Sequence, residues 1–154
     1  MNTVCSLLRI GEILLNKNKI TPDQLNDALI LQSTNNIKLG EILIEKEYIT
    51  EINLLSSLSE QLNIEVINLD NYYIDTEAIK LLTEKTAKRT CSIPLKICDD
   101  KILIAMDDPL NIFYIEDIEA EIGRKVEIVL ASKVQIITAI EKYMGGRSAE
   151  KAVE

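Results

Sequence analysis

The sequence predicts an α+β protein, in which a four-helix subdomain of two tandem αα-hairpins precedes a small α+β subdomain. The first observation is an internal repeat, because residues 9–32 match residues 38–61 at ten of 24 positions. The second is a change in hydrophobic spacing after residue 61, from helical periodicity to strand-like alternation. We therefore expect a tandem-repeat helical subdomain over 1–61, an α+β subdomain over 62–144, and a linker over 145–154 that leads toward a further domain.

Composition limits both the core and the partners. Apolar residues make up 47% of the 154 residues but aromatic residues only 4%, so Ile, Leu and Val must fill the core. The net charge of −8 argues against general binding to DNA, RNA or anionic membranes, which requires dense Lys and Arg. It leaves room for a small nucleotide held by one or two local cations. No apolar run approaches the ~18 residues of a membrane span and no signal peptide is recognisable, so no membrane-spanning segment is expected. The expectation that the cysteines are reduced thiols predicts a cytoplasmic protein.

The residue inventory also argues against catalysis and metal binding in this chain. There is no His, which removes the usual general base and the commonest metal ligand. The sequence contains no GxxxxGK[ST] loop of the kind that binds nucleoside triphosphates for hydrolysis. The three cysteines, Cys5, Cys91 and Cys98, have no metal-ligand spacing and are expected to be reduced thiols, the latter two buried.

Each copy of the repeat has the pattern of a short helix, a turn and a longer helix. Ile10, Ile13 and Leu14 follow the i, i+3, i+4 spacing of one helix face. Thr21 and Pro22 predict the start of the second helix, since Thr caps well and Pro suits the first helical position. Two units this short cannot each bury a core, so they must pack on a shared one.

The first part of the α+β half is predicted as a strand, a helix and a β-hairpin. Residues 64–69 alternate at period two and predict a strand, whereas residues 75–82 predict a helix with acidic residues near its start. Residues 92–98 and 101–106 predict paired strands joined at the turn of Asp99-Asp100.

The remaining elements are predicted from their boundary residues. Pro109 is expected to begin a helix that runs to about Ile122, and Gly123 to end it. Residues 125–130 predict a strand. Ser132 then predicts the cap of a last helix, which ends near Met144.

The repeat resembles the 24-residue motif of the MshEN domain. Both copies begin [RK]-[LI]-G-x-x-[LI]-[LI], continue with Leu at positions 17 and 21 and Gln at position 24, and are separated by five residues. Residues 106–111, MDDPLN, are similar to the family's M-x-D-P-x-N stretch, and the resemblance extends over about residues 8–145. The family stands at the N-terminus of type IV pilus extension ATPases (PilB and MshE type) and type II secretion ATPases (GspE type).

This resemblance implies a regulatory domain that binds cyclic di-GMP through the two motifs. The ATPase domain is expected downstream in the same polypeptide, and an inner-membrane platform protein is a further expected partner. The residues expected to contact the ligand come from both copies and from the MDDPLN stretch. They are Arg9, Ile10, Gly11, Leu14, Leu25, Leu29, Gln32, Lys38, Leu39, Gly40, Leu43, Leu54, Leu58, Gln61 and Asp108.

The chemistry of these residue types suits a two-fold symmetric dinucleotide. Two similar half-sites related by a local dyad can each hold one guanine and one phosphate. Arg9 can donate two hydrogen bonds to guanine O6 and N7, whereas Lys38 offers only a point charge. Gly11 and Gly40 either let backbone approach the ligand or allow close helix packing. Asp108 is a candidate acceptor for the guanine N1–H and N2–H groups.

Two departures from the family pattern keep an alternative open. Lys38 stands where the motif prefers Arg, and position ten, often Gly in the family, is Asn18 in one copy and Glu47 in the other. Asn tolerates a left-handed turn conformation, whereas Glu does so less readily. The alternative function is a protein-interaction module that docks the ATPase to its membrane-platform partner without binding nucleotide. A free-standing adaptor without a motor is a third, more distant reading.

Overall fold

A computed structural model describes residues 10–35 and 37–145. The chain divides into two compact units, Met1–Asn63 and Ile64–Glu154. The described part of the first unit contains helices joined by turns, and the second unit combines helices with a three-stranded sheet. The predicted α+β class is therefore confirmed.

The first unit contains the two predicted αα-hairpins, each a short helix followed by a longer one. The second helix of each hairpin starts in the same way, since the Thr21 hydroxyl accepts from Gln24 N–H at 3.1 Å and the Thr50 hydroxyl from Asn53 N–H at 3.2 Å. Gln24 also accepts from Thr21 N–H, which completes the predicted capping box. The four helices are α1 (Ile10–Asn16), α2 (Pro22–Thr34), α3 (Leu39–Glu45) and α4 (Glu51–Leu62).

The turns inside the two hairpins also match. Asn18 has a φ of 58° and Glu47 a φ of 61°, so position ten is left-handed in both copies. In each turn a backbone N–H bonds back to the short helix at 2.9 Å, from Lys19 to Leu14 O and from Tyr48 to Leu43 O. The family's preference for Gly at this position thus has a conformational cause, because only Gly adopts this region without cost.

The second unit is built on a three-stranded sheet in the order β1-β2-β3. Strands β1 (Ser92–Cys98) and β2 (Lys101–Met106) are antiparallel, and β3 (Lys125–Leu130) lies parallel to β2. All three strands confirm the sequence predictions. Asp99 has a φ of 56° in the predicted turn between β1 and β2.

The strand predicted over residues 64–69 is wrong. Pairing there is limited to a single parallel bridge between Val66 and Leu130. The Asn68 side chain then accepts from Asp70 N–H at 3.0 Å and caps a 3-10 turn, Leu69–Asn71, where the extended segment ends. The period-two pattern reflected an extended segment without a continuous ladder.

The helix predicted over residues 75–82 is also shorter than expected. Helix α5 is only Thr76–Ile79, and a second helix that the sequence analysis missed, α6, covers Glu84–Thr90. Thr83 caps α6, because its hydroxyl accepts from Thr86 N–H at 3.3 Å. Glu121 extends this cap from a distant helix, accepting from Thr83 N–H and from the Thr86 hydroxyl, both at 2.7 Å.

The last two helices match the predictions except that the first of them begins three residues later than expected. Helix α7 covers Ile112–Ile122 and ends at Gly123, which has a φ of 79°. It begins at Ile112 and not at Pro109, because the Asn111 side chain accepts from Tyr114 N–H at 3.2 Å and acts as the cap. Helix α8 covers Lys133–Ile140 behind the predicted Ser132 cap, and a π turn, Glu141–Gly145, follows it.

The core of the second unit lies between its sheet and helices. Aliphatic side chains from all the strands are buried in it, and Cys91 joins them, whereas Cys98 is only partly buried. The expectation of buried thiols thus holds for Cys91 and in part for Cys98, and Cys5 lies outside the described residues. The largest fully buried side chains of this unit are Ile93, Leu95, Ile102, Ile104, Met106, Ile118, Leu130 and Ile136.

Replacing Glu47 by Gly is expected to stabilise the first unit. The left-handed backbone is costly for Glu, so E47G should raise the free energy of unfolding by about 1 kcal/mol. The matched change N18G should have a smaller effect, since Asn tolerates this region better. Urea denaturation measures both, and a larger gain for N18G than for E47G would contradict the argument.

Glu121 is expected to make stability depend on pH in the acid range. Burial raises the pKa of this carboxyl, but hydrogen bonds from Thr83 and Thr86 and the charge of Arg89 outweigh it, so the pKa lies below its ordinary 4.5. The carboxylate therefore stabilises the fold above that value, and this contribution disappears as the pH falls through the lowered pKa. Because Glu121 is exposed, solvent screening weakens this contribution, so E121Q should lower the free energy of unfolding by only a few tenths of a kcal/mol at pH 7 and by less at low pH.

Thermal unfolding between pH 3 and 7 measures this difference. The control is E116Q, which neutralises an exposed carboxylate on the same helix. If E121Q and E116Q show the same pH dependence, the proposed cap is not a source of stability.

Candidate functional site

The helices of the first unit pack across the repeat boundary. Helix α1 packs against α4, and α3 packs against α2, so each short helix lies on the long helix of the other copy. The two short helices also contact each other. An exchange of this kind is what a local two-fold axis between the copies produces.

Gly11 lies at one of the two equivalent crossings. A Cβ atom added there would be 2.7 Å from Leu25 Cδ1, a residue of the same copy. It would also be 3.3 Å from Leu39 Cδ2, which belongs to the other copy. Gly11 is buried, so the absence of a side chain is what lets these leucines approach the α1 backbone.

Gly40 lies at the second crossing and has the exchanged neighbours. Its added Cβ would be 3.2 Å from Leu54 Cδ2 in its own copy and 3.5 Å from Ile10 Cδ1 in the other. Leu54 is the repeat equivalent of Leu25, and Ile10 is the equivalent of Leu39. The two glycine environments are therefore related by a pseudo-two-fold axis that passes between the starts of α1 and α3.

The cations proposed from the sequence flank these starts along the chain. Lys38 is half-buried and caps α3 with an extended backbone, and its carbonyl accepts from Ile42 N–H at 3.1 Å. Arg9, which directly precedes α1, lies outside the described residues.

The candidate leucines differ in what they expose. Leu14, Leu43 and Leu58 are fully buried in the helical unit. Leu29 is 43% exposed, although its repeat equivalent Leu58 is not exposed at all. The other four aliphatic candidates expose little surface. Ile10 and Leu25 are half-buried, and Leu39 and Leu54 are buried.

The two glutamines and Asp108 have other surroundings within their own units. Gln32 Nε2 donates to Ile37 O at 3.2 Å, so this side chain holds the spacer between the copies. Gln61 is exposed near the end of α4. Asp108 belongs to the second unit, in the turn between β2 and α7, where its carbonyl accepts from Asn111 N–H at 3.3 Å. Its ligand contact stays a prediction.

Three polar contacts between the copies were missed by the sequence analysis. Lys17 Nζ lies 3.1 Å from Glu60 Oε2, and Lys46 Nζ lies 3.7 Å from Asp27 Oδ2. The Tyr48 hydroxyl donates to the same Asp27 oxygen at 2.7 Å, and this bond, together with burial and the charge of Asp27, raises the pKa of Tyr48. The available signal was the identity of Lys17 and Lys46, which occupy position nine of both copies.

The described residues contain neither a metal-site cluster nor a membrane-spanning helix. Over residues 10–35 and 37–145, no group of three or more His, Cys, Asp or Glu side chains has the arrangement of a metal site. In the same ranges, no helix has the length and apolar character needed to cross a membrane.

Curated relatives of the chain include two pilus ATPases. It is 34% identical over 135 residues to the type IV pilus assembly ATPase PilB of Myxococcus xanthus, covering 88% of this chain and 24% of that protein. It is 24% identical over 137 residues to PilB of Thermus thermophilus, covering 88% and 15%. Bacteriophage adsorption protein B of Escherichia coli K12 is 25% identical over 142 residues, covering 92% and 19%. The chain thus spans a quarter or less of the length of these relatives.

Two solved structures share the fold. The structure of MshE with cdg, that is, cyclic di-GMP, is 30% identical with a TM-score of 0.78, covering 88% of this chain and 99% of that one. The N-terminal domain of XpsE is 16% identical with a TM-score of 0.73, covering 88% and 94%, and at this identity it supports the fold alone.

The family model of the MshEN domain matches residues 62–150, which is more than half of the chain. This match lies in the α+β half, whereas the repeat lies before it, so the two lines of evidence come from different residues. The chain belongs to the MshEN domain family.

Proposed function

We propose that this chain is a cytoplasmic regulatory domain that binds cyclic di-GMP through its two tandem motifs. The observation that carries the proposal is the exchange of neighbours between Gly11 and Gly40, which gives the helical unit a pseudo-two-fold axis. A two-fold symmetric ligand matches such an axis, because each half of the ligand meets an equivalent set of residues. The solved relative MshE, 30% identical, was determined with this ligand.

The position of the cations along the chain supports the proposal. Ile10 reaches Gly40 and Leu39 reaches Gly11, so the starts of α1 and α3 are about one side chain apart. Arg9 and Lys38 directly precede these two residues. Two cations at these positions of the sequence are suited to neutralise the two phosphates of a cyclic dinucleotide, and an Arg can in addition pair with guanine.

The apolar contribution is expected from the partly exposed residues. Leu29 and Leu25 offer surface on which a guanine can pack, whereas Leu14, Leu43 and Leu58 act from the core. Because Gly11 and Gly40 are buried, we propose that they act by helix packing and not by contact with the ligand. Their lack of a side chain lets the starts of α1 and α3 approach each other. Gln32, Gln61 and Asp108 are proposed as additional hydrogen-bonding groups.

The proposed biological setting is an ATPase of pilus assembly or type II secretion, with the motor domain in the same polypeptide. A ligand that contacts both copies would favour the relative placement of the two hairpins in which both half-sites contact it. A motor responds to such a ligand only if the ligand has different affinities for the motor's states.

Isothermal titration of the chain with cyclic di-GMP tests this function. We expect binding by the unaltered chain and a loss of affinity of tenfold or more in R9A, since a charged pair contributes about 1.5–3 kcal/mol. The control K19A removes an exposed lysine of the same unit and should bind as the unaltered chain does. The absence of both heat and a thermal shift at high micromolar ligand would reject the function.

A substitution at Lys38 tests whether the second copy provides a complete half-site or a degenerate one. K38R should bind equally or more tightly, because a guanidinium can donate to guanine O6 and N7 together. A large loss of affinity in K38R would show that the assignment of this half-site is wrong.

A second function, docking of an ATPase to its membrane-platform partner, is favoured by the surface. Tyr73, Phe113, Ile52 and Val134 are between 71% and 81% exposed, and Phe113 is the single Phe of the chain. Exposed apolar side chains mark an interaction surface where they form a contiguous patch, so this function requires a partner to contact Tyr73, Phe113 and Val134 of the second unit together. If the chain binds no cyclic di-GMP, docking to the platform protein is the remaining candidate function.

A further inference from the structure

We propose that the three polar contacts between the copies position the two half-sites, so that Lys17, Glu60, Asp27, Lys46 and Tyr48 set the affinity for the ligand without touching it. These five residues form what we call the inter-repeat clasp. This inference rests on the proposed function, because it concerns the same site.

The clasp joins the copies in both directions. Lys17 follows α1 of the first copy and reaches Glu60 on α4 of the second. Lys46 and Tyr48 follow α3 of the second copy and both reach Asp27 on α2 of the first. Each short helix is thus tied at its C-terminal end to the long helix on which it packs.

Apolar packing alone leaves the relative placement of the helices less well defined. The buried side chains Ile13, Leu14, Ile42 and Leu43 hold the copies together, but the hydrophobic effect is not directional. Hydrogen bonds and ion pairs require particular distances and angles. The clasp therefore restrains sliding and rotation of the short helices, whose starts would carry the ligand-binding cations.

The two lysines of the clasp lie away from the cations that are expected to contact the ligand. Lys17 and Lys46 come eight residues after Arg9 and Lys38. At about 1.5 Å of rise per helical residue, the two ends of a short helix are roughly 10 Å apart. An effect of Lys17 or Lys46 on these cations must then pass through the placement of the helices.

The expected loss of ligand affinity follows from the fraction of molecules that are in the binding-competent arrangement. Apparent affinity falls in proportion to the fraction of molecules whose half-sites have the correct spacing. Exposed ion pairs are individually weak, so loss of one should leave a sizeable competent fraction. We expect the dissociation constant to rise about three- to tenfold when one arm of the clasp is broken.

A charge swap tests the Lys17–Glu60 arm. K17E and E60K each place two like charges side by side and should each weaken cyclic di-GMP binding, as measured by isothermal titration. The double variant K17E/E60K restores an opposite pair and should recover the affinity of the unaltered chain to within about twofold. K19E, which makes the same charge change on an exposed lysine of this unit, should lower affinity less than K17E does.

The rescue distinguishes positioning from direct contact. If Lys17 contacted a ligand phosphate itself, the double variant would bind as poorly as K17E, and the inference would be rejected. The same result follows if K17E binds as tightly as the unaltered chain. If the unaltered chain binds no ligand, the proposed function fails and this inference fails with it.

Tyr48 gives a second test that leaves the charge unchanged. Y48F removes the hydroxyl that donates to Asp27 and keeps the ring. We expect weaker binding by about threefold or more, with the far-ultraviolet circular dichroism spectrum unchanged. A lowered melting temperature with unaltered affinity would show that this contact stabilises the fold without positioning the site.

Discussion

The arrangement of the helical unit depends on close approach at two glycines. A Cβ at Gly11 would lie only 2.7 Å from a leucine of the same copy, and one at Gly40 would lie 3.2 Å from the equivalent leucine, while an aliphatic residue of the other copy approaches each glycine. Because the neighbours are exchanged between the copies, the two crossings are geometrically equivalent. The repeat in the sequence thereby becomes a pseudo-two-fold axis in the structure, and the positions of Lys38 and of the clasp follow from it.

This symmetry is only approximate, and its departures have physical consequences. Leu29 is 43% exposed whereas its equivalent Leu58 is fully buried, so the two copies would not offer equal apolar surface to a ligand. Lys38 stands where the first copy has Arg9, which makes the cationic groups unequal as well. A symmetric ligand would therefore meet two related half-sites of different strength.

Much of the fold was predictable because its signals are local. The repeat, the caps at Thr21 and Thr50 and the three strands of the sheet follow from spacing over a few residues. Helix α6 was missed because part of its cap comes from Glu121, more than thirty residues away. The clasp was missed for the same reason, since nothing near Tyr48 in the sequence indicates a partner on α2. The pairing of distant polar side chains has no periodic signature.

The central claim is that one ligand binds on the axis that relates α1 to α3. A crystal structure of the chain with cyclic di-GMP tests it most directly. We predict one ligand per chain, with its two halves contacting equivalent residues of the two copies and its own two-fold axis close to the axis between Gly11 and Gly40. A ligand held by a single copy, or by the second unit alone, would contradict this account.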